Sequence, residues 1–404
     1  MNKIDTKLYD VCVVGAGFSG LVFAIKVARA GLLVCLMDQN NTVGRKILST
    51  GNGRCNFTNS KMGKDYYYSN SDLSFITDNH QDLIDFLGEL GVVHKNLDGF
   101  YYPITNQART VKEALELEIN RLGIDVFLSC TVKDIGKADI FSISSNDLVI
   151  KAQNVVIATG GMAAPTLGTS KLGYKTASKF KLKVTELAPA LVGFSSKDNR
   201  LKTLAGVRAQ GCVNYRGHSC TGEIQFNKDG ISGYPVMCIS RFVGFDELHG
   251  GFDNIYIDFI PYLSRNDLKA EFVRRFKRVP DDMIVDSLKG LTSNHIISNV
   301  LQEARIYSDT IVSKLDEEDM EYLLDAFKNY ALSIDGTKGF NNAQVTAGGV
   351  SLDCLSENME SKNIQGLFFV GEVVDVDGIC GGYNLQWAFT SASLAADLII
   401  GESK

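Results

Sequence analysis

Near the start of the chain three glycines, Gly15, Gly17 and Gly20, are spaced to cradle a phosphate, and Asp38 follows where a ribose could be held. Gly15 permits a tight turn, Gly17 lets backbone approach a pyrophosphate, and Gly20 lets a helix lie close to the strand before it. Phe18 and Ser19 lie within this turn as candidate cofactor contacts, and the first N–H groups and partial positive charge of the helix that follows suit an anion. Asp38 can accept both hydroxyls of an adenosine ribose, and its charge repels a 2′-phosphate. The chemistry is dinucleotide binding.

A second set of residues asks for a cofactor longer than a nicotinamide dinucleotide. Gly44-Arg45-Lys46 and Gly53-Arg54-Cys55-Asn56 follow soon after the ribose acid, and their cations can serve phosphate or ribityl oxygens. Thr159-Gly160-Gly161 is a small-residue turn past which a cofactor can lie. Near the other end, Gly371-Glu372 closes a short apolar run, and Asp375 is expected on a ribityl hydroxyl. Gly381-Gly382-Tyr383-Asn384 then opens a helix whose N–H groups are expected to face a flavin pyrimidine edge. A helix N-terminus there stabilises the negative charge of a reduced flavin. The expected cofactor is FAD.

Flavin brings its own hydride chemistry, so few side chains are needed for catalysis. Cys55 is a candidate thiol near the ring, although a small buried residue is the favoured reading, since no C-x-x-C partner exists. Tyr383 is a candidate proton donor or stacking group, and equally a packing residue at a helix start. Lys228 and Tyr234 are candidates for orienting substrate, or plain surface residues. No general base stands out. The five histidines lie far apart and form no metal-binding spacing, so no metal is expected.

These residues need a frame. Tyr9–Val14 reads as a buried parallel strand, Leu21–Ala30 as a helix ended by Gly31, and Leu32–Met37 as the next strand. Asn154–Ile157 and Gly366–Val370 are further buried strands, and Tyr383–Ile400 a long helix. The middle of the chain changes character. Leu191–Gln225 alternates in short runs between glycine turns, which suits antiparallel β structure. Leu263–Phe327 has helical spacing instead, with Leu268, Phe272 and Phe276 on one face. The expected fold is α/β: a Rossmann-like FAD-binding domain in two segments, 1–190 and 341–404. The inserted domain, 191–340, is β-rich with a helical part at about 262–328. A chain of 404 residues with 45% hydrophobic and 22% charged residues fits such multidomain globular organisation.

The sequence resembles the BaiN / aminoacetone-oxidase (YhiN-like) family of FAD-dependent flavoproteins. The likeness spans essentially the whole chain and is carried by the N-terminal glycine motif, GRK, TGNGRCNFTN, ATGG and GLFFVGEVVDVDGICGGYNLQWAFTSASLA. It also includes Tyr102-Pro103, Pro189–Val192 and Gln344–Val350. The resemblance implies a two-part FAD domain interrupted by a substrate domain. One stretch departs from it. The family resembles F-T-H-x-G-x-S-G-P where this chain has Phe226–Tyr234, with Asn227-Lys228 for Thr-His and Tyr234 for the proline.

The expected activity is hydride transfer between flavin N5 and a small organic substrate. Within the resemblance, NAD(P)H-linked reduction of an activated C=C, as in a steroid-like enone, is favoured, because the altered stretch has lost the family's histidine. The alternatives are an oxygen-dependent amine oxidase and, less favoured, a flavin-bearing partner in RNA modification. No second dinucleotide fingerprint occurs, so a nicotinamide would dock only transiently. A net charge of −6 gives no bulk attraction to nucleic acid, and no nucleic-acid partner is expected. No apolar run reaches about 18 residues, so no membrane span is expected. Nine scattered cysteines read as reduced thiols of a cytoplasmic protein. The oligomeric state is not legible.

Overall fold

Apolar, β-branched runs without side-chain polarity pack well only when both faces are covered, and they assemble here into a parallel sheet. The computed structural model describes residues 3–76, 79–146 and 148–403. Its contacts divide the chain into two units, Met1–Ala188 with Gln344–Lys404, and Pro189–Ala343.

In the first unit the parallel strands lie in the order Asp125–Phe127, Val34–Met37, Lys3–Val14, Leu148–Ile157 and Leu367–Phe369. Their registers align Val14 with Met37 and with Ile157, and Ile157 with Phe369. The carboxyl ends of these strands therefore lie along one edge. The chain first builds outward on one side of strand Lys3–Val14 and then crosses to the other, which makes the gap beside Val14 and Ile157 a topological switch point. Ligands of open α/β sheets bind at such points. Val132–Lys137 and Phe141–Ser145 extend the sheet antiparallel.

Helix Phe18–Arg29 starts earlier than the sequence suggests, because Gly17 serves as its extended N-cap. It packs against the C-terminal helix Tyr383–Glu402. The strand expected from Leu32 begins at Val34, and the one expected from Asn154 begins at Leu148.

The second unit has its own core. Seven strands form an antiparallel sheet around the hairpin Arg208–Tyr215/His218–Asn227. Helix Tyr234–Leu248 covers that hairpin. Helices Arg265–Arg278, Asn294–Glu303 and Glu317–Lys328 bury Leu268, Phe272, Ile296, Val300, Leu323 and Phe327 in the same core. Ser264, Ser293 and Asp316 cap the N-termini of these three helices.

Close packing of the first helix onto the strand edge leaves no room at Gly20, where a Cβ would lie 2.0 Å from the Gly15 carbonyl oxygen. Gly20→Ala is therefore expected to lower stability by about 1–3 kcal/mol in urea titration. An unchanged midpoint would contradict this packing.

Candidate functional site

The glycine turns of the first unit meet at the carboxyl edge of its sheet. Gly15 has φ +109°, donates its N–H to the Met37 carbonyl at 2.8 Å, and would place a Cβ 2.3 Å from the Ala158 carbonyl oxygen. Only glycine serves there. Gly17 is different. Nothing lies within 4 Å of its Cβ position, and no side chain caps the helix that follows. Open space before an uncapped helix start can receive a phosphate. Asp38, at the end of its strand, accepts the Ala16 N–H at 2.7 Å on one oxygen and the backbone and side-chain N–H groups of Asn40 on the other. It is half-buried and keeps acceptor capacity for a hydroxyl.

Gly44, in a left-handed conformation, ties the second loop to the first by donating to the Ala16 carbonyl at 2.8 Å. Lys46 on that loop pairs with Glu372 at 2.7 Å. The other Glu372 oxygen accepts the Thr346 N–H at 3.0 Å. The Thr346 hydroxyl in turn accepts the N–H groups of Met162 and Ala163, just past Gly160-Gly161. A Cβ on Gly161 would lie 2.4 Å from that hydroxyl and 2.6 Å from Glu372. Ser19 is buried with its hydroxyl against Gly371, whose N–H is donated to Ser391.

The N-terminal loop and the C-terminal helix are clasped together. Thr58 donates to Gln386 at 2.7 Å, and Asn59 donates to the Gly381 carbonyl at 3.2 Å. The Tyr67 hydroxyl reaches the Tyr383 carbonyl, and Asp377-Gly378 pairs as a strand with Tyr67-Tyr68. Gly382 takes a left-handed conformation with Thr58 backbone against it, 2.7 Å from a Cβ position. Helix Tyr383–Glu402 thus begins uncapped by any side chain at a glycine pair held from the other end of the chain.

Several side chains take positions other than those expected. Asp375 is fully buried, and one oxygen accepts from the Asn70 backbone and amide. Among the described residues its other oxygen has no partner, as is true of the buried hydroxyls of Thr159 and Tyr174. Burial, with the charges of Glu372 and Asp375, pushes the Tyr174 hydroxyl well above its ordinary range. The part-exposed acid at this strand end is Glu372.

Asn384 is spent on structure, exchanging two 2.8 Å hydrogen bonds with Gly378. Asn56 is likewise committed, donating to the carbonyls of Thr58 and Tyr101. Cys55 is fully buried at φ +57°, and burial pushes its thiol up to about 11. The proton is therefore held more tightly in the folded than in the unfolded chain. That contribution to stability is complete below pH 9 and fades towards pH 11. A thiol so placed stays protonated and does not reach a ligand surface. Tyr383 is buried and stacks on Tyr66 at 4.9 Å between ring centroids. Among the described residues Arg45 is held only by Asn40, and Arg54 lies over the Tyr102 ring.

The stretch Phe226–Tyr234 is a tight hairpin rather than an open loop. Asn227 pairs with Gly230, and Lys228 is exposed at its tip. Tyr234 begins a helix, and Pro235 stands in that helix's first turn, one residue after the site of the family's proline. Thr58, Asn59, Thr346 and Gln386 were not among the expected site residues. Thr58 and Asn59 lie within the quoted TGNGRCNFTN motif, but hydroxyl and amide side chains carry no spacing signal of their own. Among the described residues no group of three or more His, Cys, Asp or Glu could hold a metal, and no helix is long and apolar enough to cross a membrane.

A Rossmann sheet with glycine-lined helix starts from both chain ends defines a dinucleotide-binding flavoprotein. The chain belongs to the HI0933-like protein Rossmann domain family, which it matches over residues 9–398. It is 34% identical to a 3-dehydro-bile acid delta(4,6)-reductase of Clostridium scindens, over 98% of both chains. It is 30% identical to a ribosomal RNA dihydrouridine synthase of Escherichia coli, over 98% of this chain and 99% of that one. Among solved structures, it resembles the 3-ketosteroid-delta4-(5alpha)-dehydrogenase of Rhodococcus jostii with a TM-score of 0.55 at 15% identity, over 98% of this chain and 97% of that one. At that identity the likeness concerns fold alone. The protein is an FAD-dependent oxidoreductase of this family.

Removing the clasp tests its weight. Thr58→Val and Gln386→Leu are each expected to cost about 1–3 kcal/mol, because each leaves a buried polar partner unpaired. The double variant should cost about 1 kcal/mol less than their sum in urea titration. Strict additivity would show that the two side chains do not interact.

Proposed function

We propose that the first unit binds FAD across its sheet edge and that the enzyme reduces a carbon–carbon double bond conjugated to a carbonyl, with NAD(P)H as transient reductant. The observation that carries this is the convergence of the two glycine-lined helix starts, Gly15–Gly20 and Gly381-Gly382, held by Thr58–Gln386, Asn59–Gly381 and Lys46–Glu372.

The residues present fit the cofactor. The space at Gly17 suits a pyrophosphate, and Asp38 an adenosine ribose. Glu372 with Lys46 lines the course between the two helix starts, beside the turn Thr159–Gly161. The uncapped N-terminus of helix Tyr383–Glu402 suits the polar edge of an electron-rich ring. Bound FAD supplies hydride chemistry at N5, which no side chain of the chain offers. The chain's part is to hold, orient and shield.

The C. scindens relative supports an enone of steroid type as substrate. A second reading rests on the E. coli relative, which is nearly as similar over the same length. Uracil also carries a C=C conjugated to a carbonyl, so both readings ask for one reaction on two kinds of ring. Oxygen-dependent amine oxidation is the remaining alternative.

Gly17→Val is expected to leave the stability of the flavin-free chain within about 0.5 kcal/mol, since its Cβ meets nothing. It should abolish the flavin absorbance and acid-released FAD of the purified wild type, and full flavin content in the variant would remove the pyrophosphate from this turn.

Anaerobic stopped-flow mixing is expected to bleach the flavin with NADH or NADPH and to restore it with a steroid 4-en-3-one. Bleaching by amines alone, with reoxidation by oxygen, would replace the reductase by the oxidase. Restoration by uridine-containing ribosomal RNA but not by enone would select the second reading.

A further inference from the structure

The first unit carries a small three-stranded sheet, and the cofactor reading uses only Asn59 on one of its faces. Strand Phe100–Pro103 pairs with His94–Leu97 on one side and with Thr58–Asn59 on the other. Residues directly opposite in an antiparallel pair share a face, so Lys95 lies beside Tyr102 and Leu97 beside Phe100. Tyr101 points to the other face, among Phe57, His80 and His94.

The Phe100 face runs from the glycine pair to two cations. The Phe100 ring abuts Gly381, where a Cβ would lie 3.1 Å from it. Tyr102 stands two residues on, about 7 Å along the strand. The Arg54 guanidinium lies 5.2 Å from the Tyr102 ring centroid. Leu97 is 47% exposed, and Phe100 and Tyr102 are only half-buried. Arg54 donates only to the Gly51 carbonyl, and among the described residues neither Arg54 nor Lys95 has a carboxylate partner. An aromatic step open to solvent, ending in two cations without counter-ions, is complementary to a flat apolar body with an anionic end.

We propose that this face is the substrate subsite: a flat conjugated ring stacks on Phe100 beside Gly381, and its anionic end is held by Arg54 and Lys95. The assignment rests on the function proposed above, in which the helix start at Gly381-Gly382 faces the reactive ring. Arg54 then belongs to the substrate rather than to the cofactor. A steroid carboxylate and a uridine nucleotide both satisfy this chemistry, each joining a conjugated ring to an anion.

Isothermal titration of the protein as purified tests the subsite without turnover. The probes are 3-oxo-4-cholenoate, neutral 4-androstene-3,17-dione and uridine 5′-monophosphate. Wild type is expected to bind an anionic probe about tenfold more tightly than the neutral steroid. Arg54→Gln and Lys95→Gln should each erase about that advantage, with neutral-steroid affinity and flavin content unchanged. Phe100→Ala should weaken every probe that binds. Preference for uridylate over cholenoate, lost in the same variants, supports the subsite with a nucleotide as its occupant. Equal affinity for acid and neutral steroid, or anion affinity unmoved in both charge variants, overturns the subsite. Flavin lost in Arg54→Gln overturns it by returning Arg54 to the cofactor. Parallel enone turnover separates the two inferences: failed turnover with the binding pattern intact removes the reductase alone.

Discussion

Backbone against backbone at the switch point is the constraint from which the rest of the first unit follows. The turn at Gly15 passes so close to the Ala158 carbonyl that no side chain fits, and Gly20 lies as close to the carbonyl of Gly15. These contacts press helix Phe18–Arg29 onto the edge of the sheet and aim its N-terminus across the ends of the parallel strands. An uncapped helix end so aimed presents polarised N–H groups without any charged side chain. On the proposed function, this would let a chain with net charge −6 hold a pyrophosphate. The attraction is local, supplied by oriented dipoles over a few ångströms rather than by the field of the whole molecule.

The second helix start is positioned by side chains from far away in sequence. Thr58 and Asn59 hold Gln386 and Gly381, and Lys46 holds Glu372. These hydrogen bonds are largely shielded from water, so each contributes more than a surface contact would, and losing one partner leaves the other exposed to a desolvation cost. Among the described residues, buried oxygens on Thr159, Tyr174 and Asp375 have no partner. They cluster where Glu372 and Asp375 impose negative charge on Tyr174. Polar groups buried in this way call for ordered water.

Substrate choice is separated from this frame. The two curated relatives cover nearly the same length at similar identity, yet they carry names for chemistry on a bile acid and on ribosomal RNA. Under the function proposed above, a shared frame that supplies hydride to a conjugated bond would account for both. On that proposal, differences in substrate would belong to surfaces such as the Phe100 face, with the hairpin Phe226–Tyr234 departing from the family pattern. The hairpin holds its shape through Asn227 to Ser232 and through the Asp229–Lys338 ion pair, while Lys228 stays exposed.

The sequence by itself determined the strand–turn–helix order, the glycine positions and the acid at Asp38, because backbone conformation and close approach restrict residue type locally. Gly15, Gly20 and Gly382 were legible for that reason. It also marked where an antiparallel insert replaces the parallel pattern, since periodicity is a local property. Tertiary structure alone decided which acid faces outward. Glu372 and Asp375 are near neighbours at one strand end, and only packing against Asn70 buries the second. Asn56 likewise reaches Tyr101 from a distant strand, whereas Asn384 and Cys55 are held by partners close in sequence, Gly378 and Thr50. Nor could spacing reveal that Thr58 meets Gln386, or that Phe100 meets Gly381. Such contacts join residues hundreds of positions apart, and no local preference encodes them; they exist only once the sheet has brought both ends of the chain to one edge.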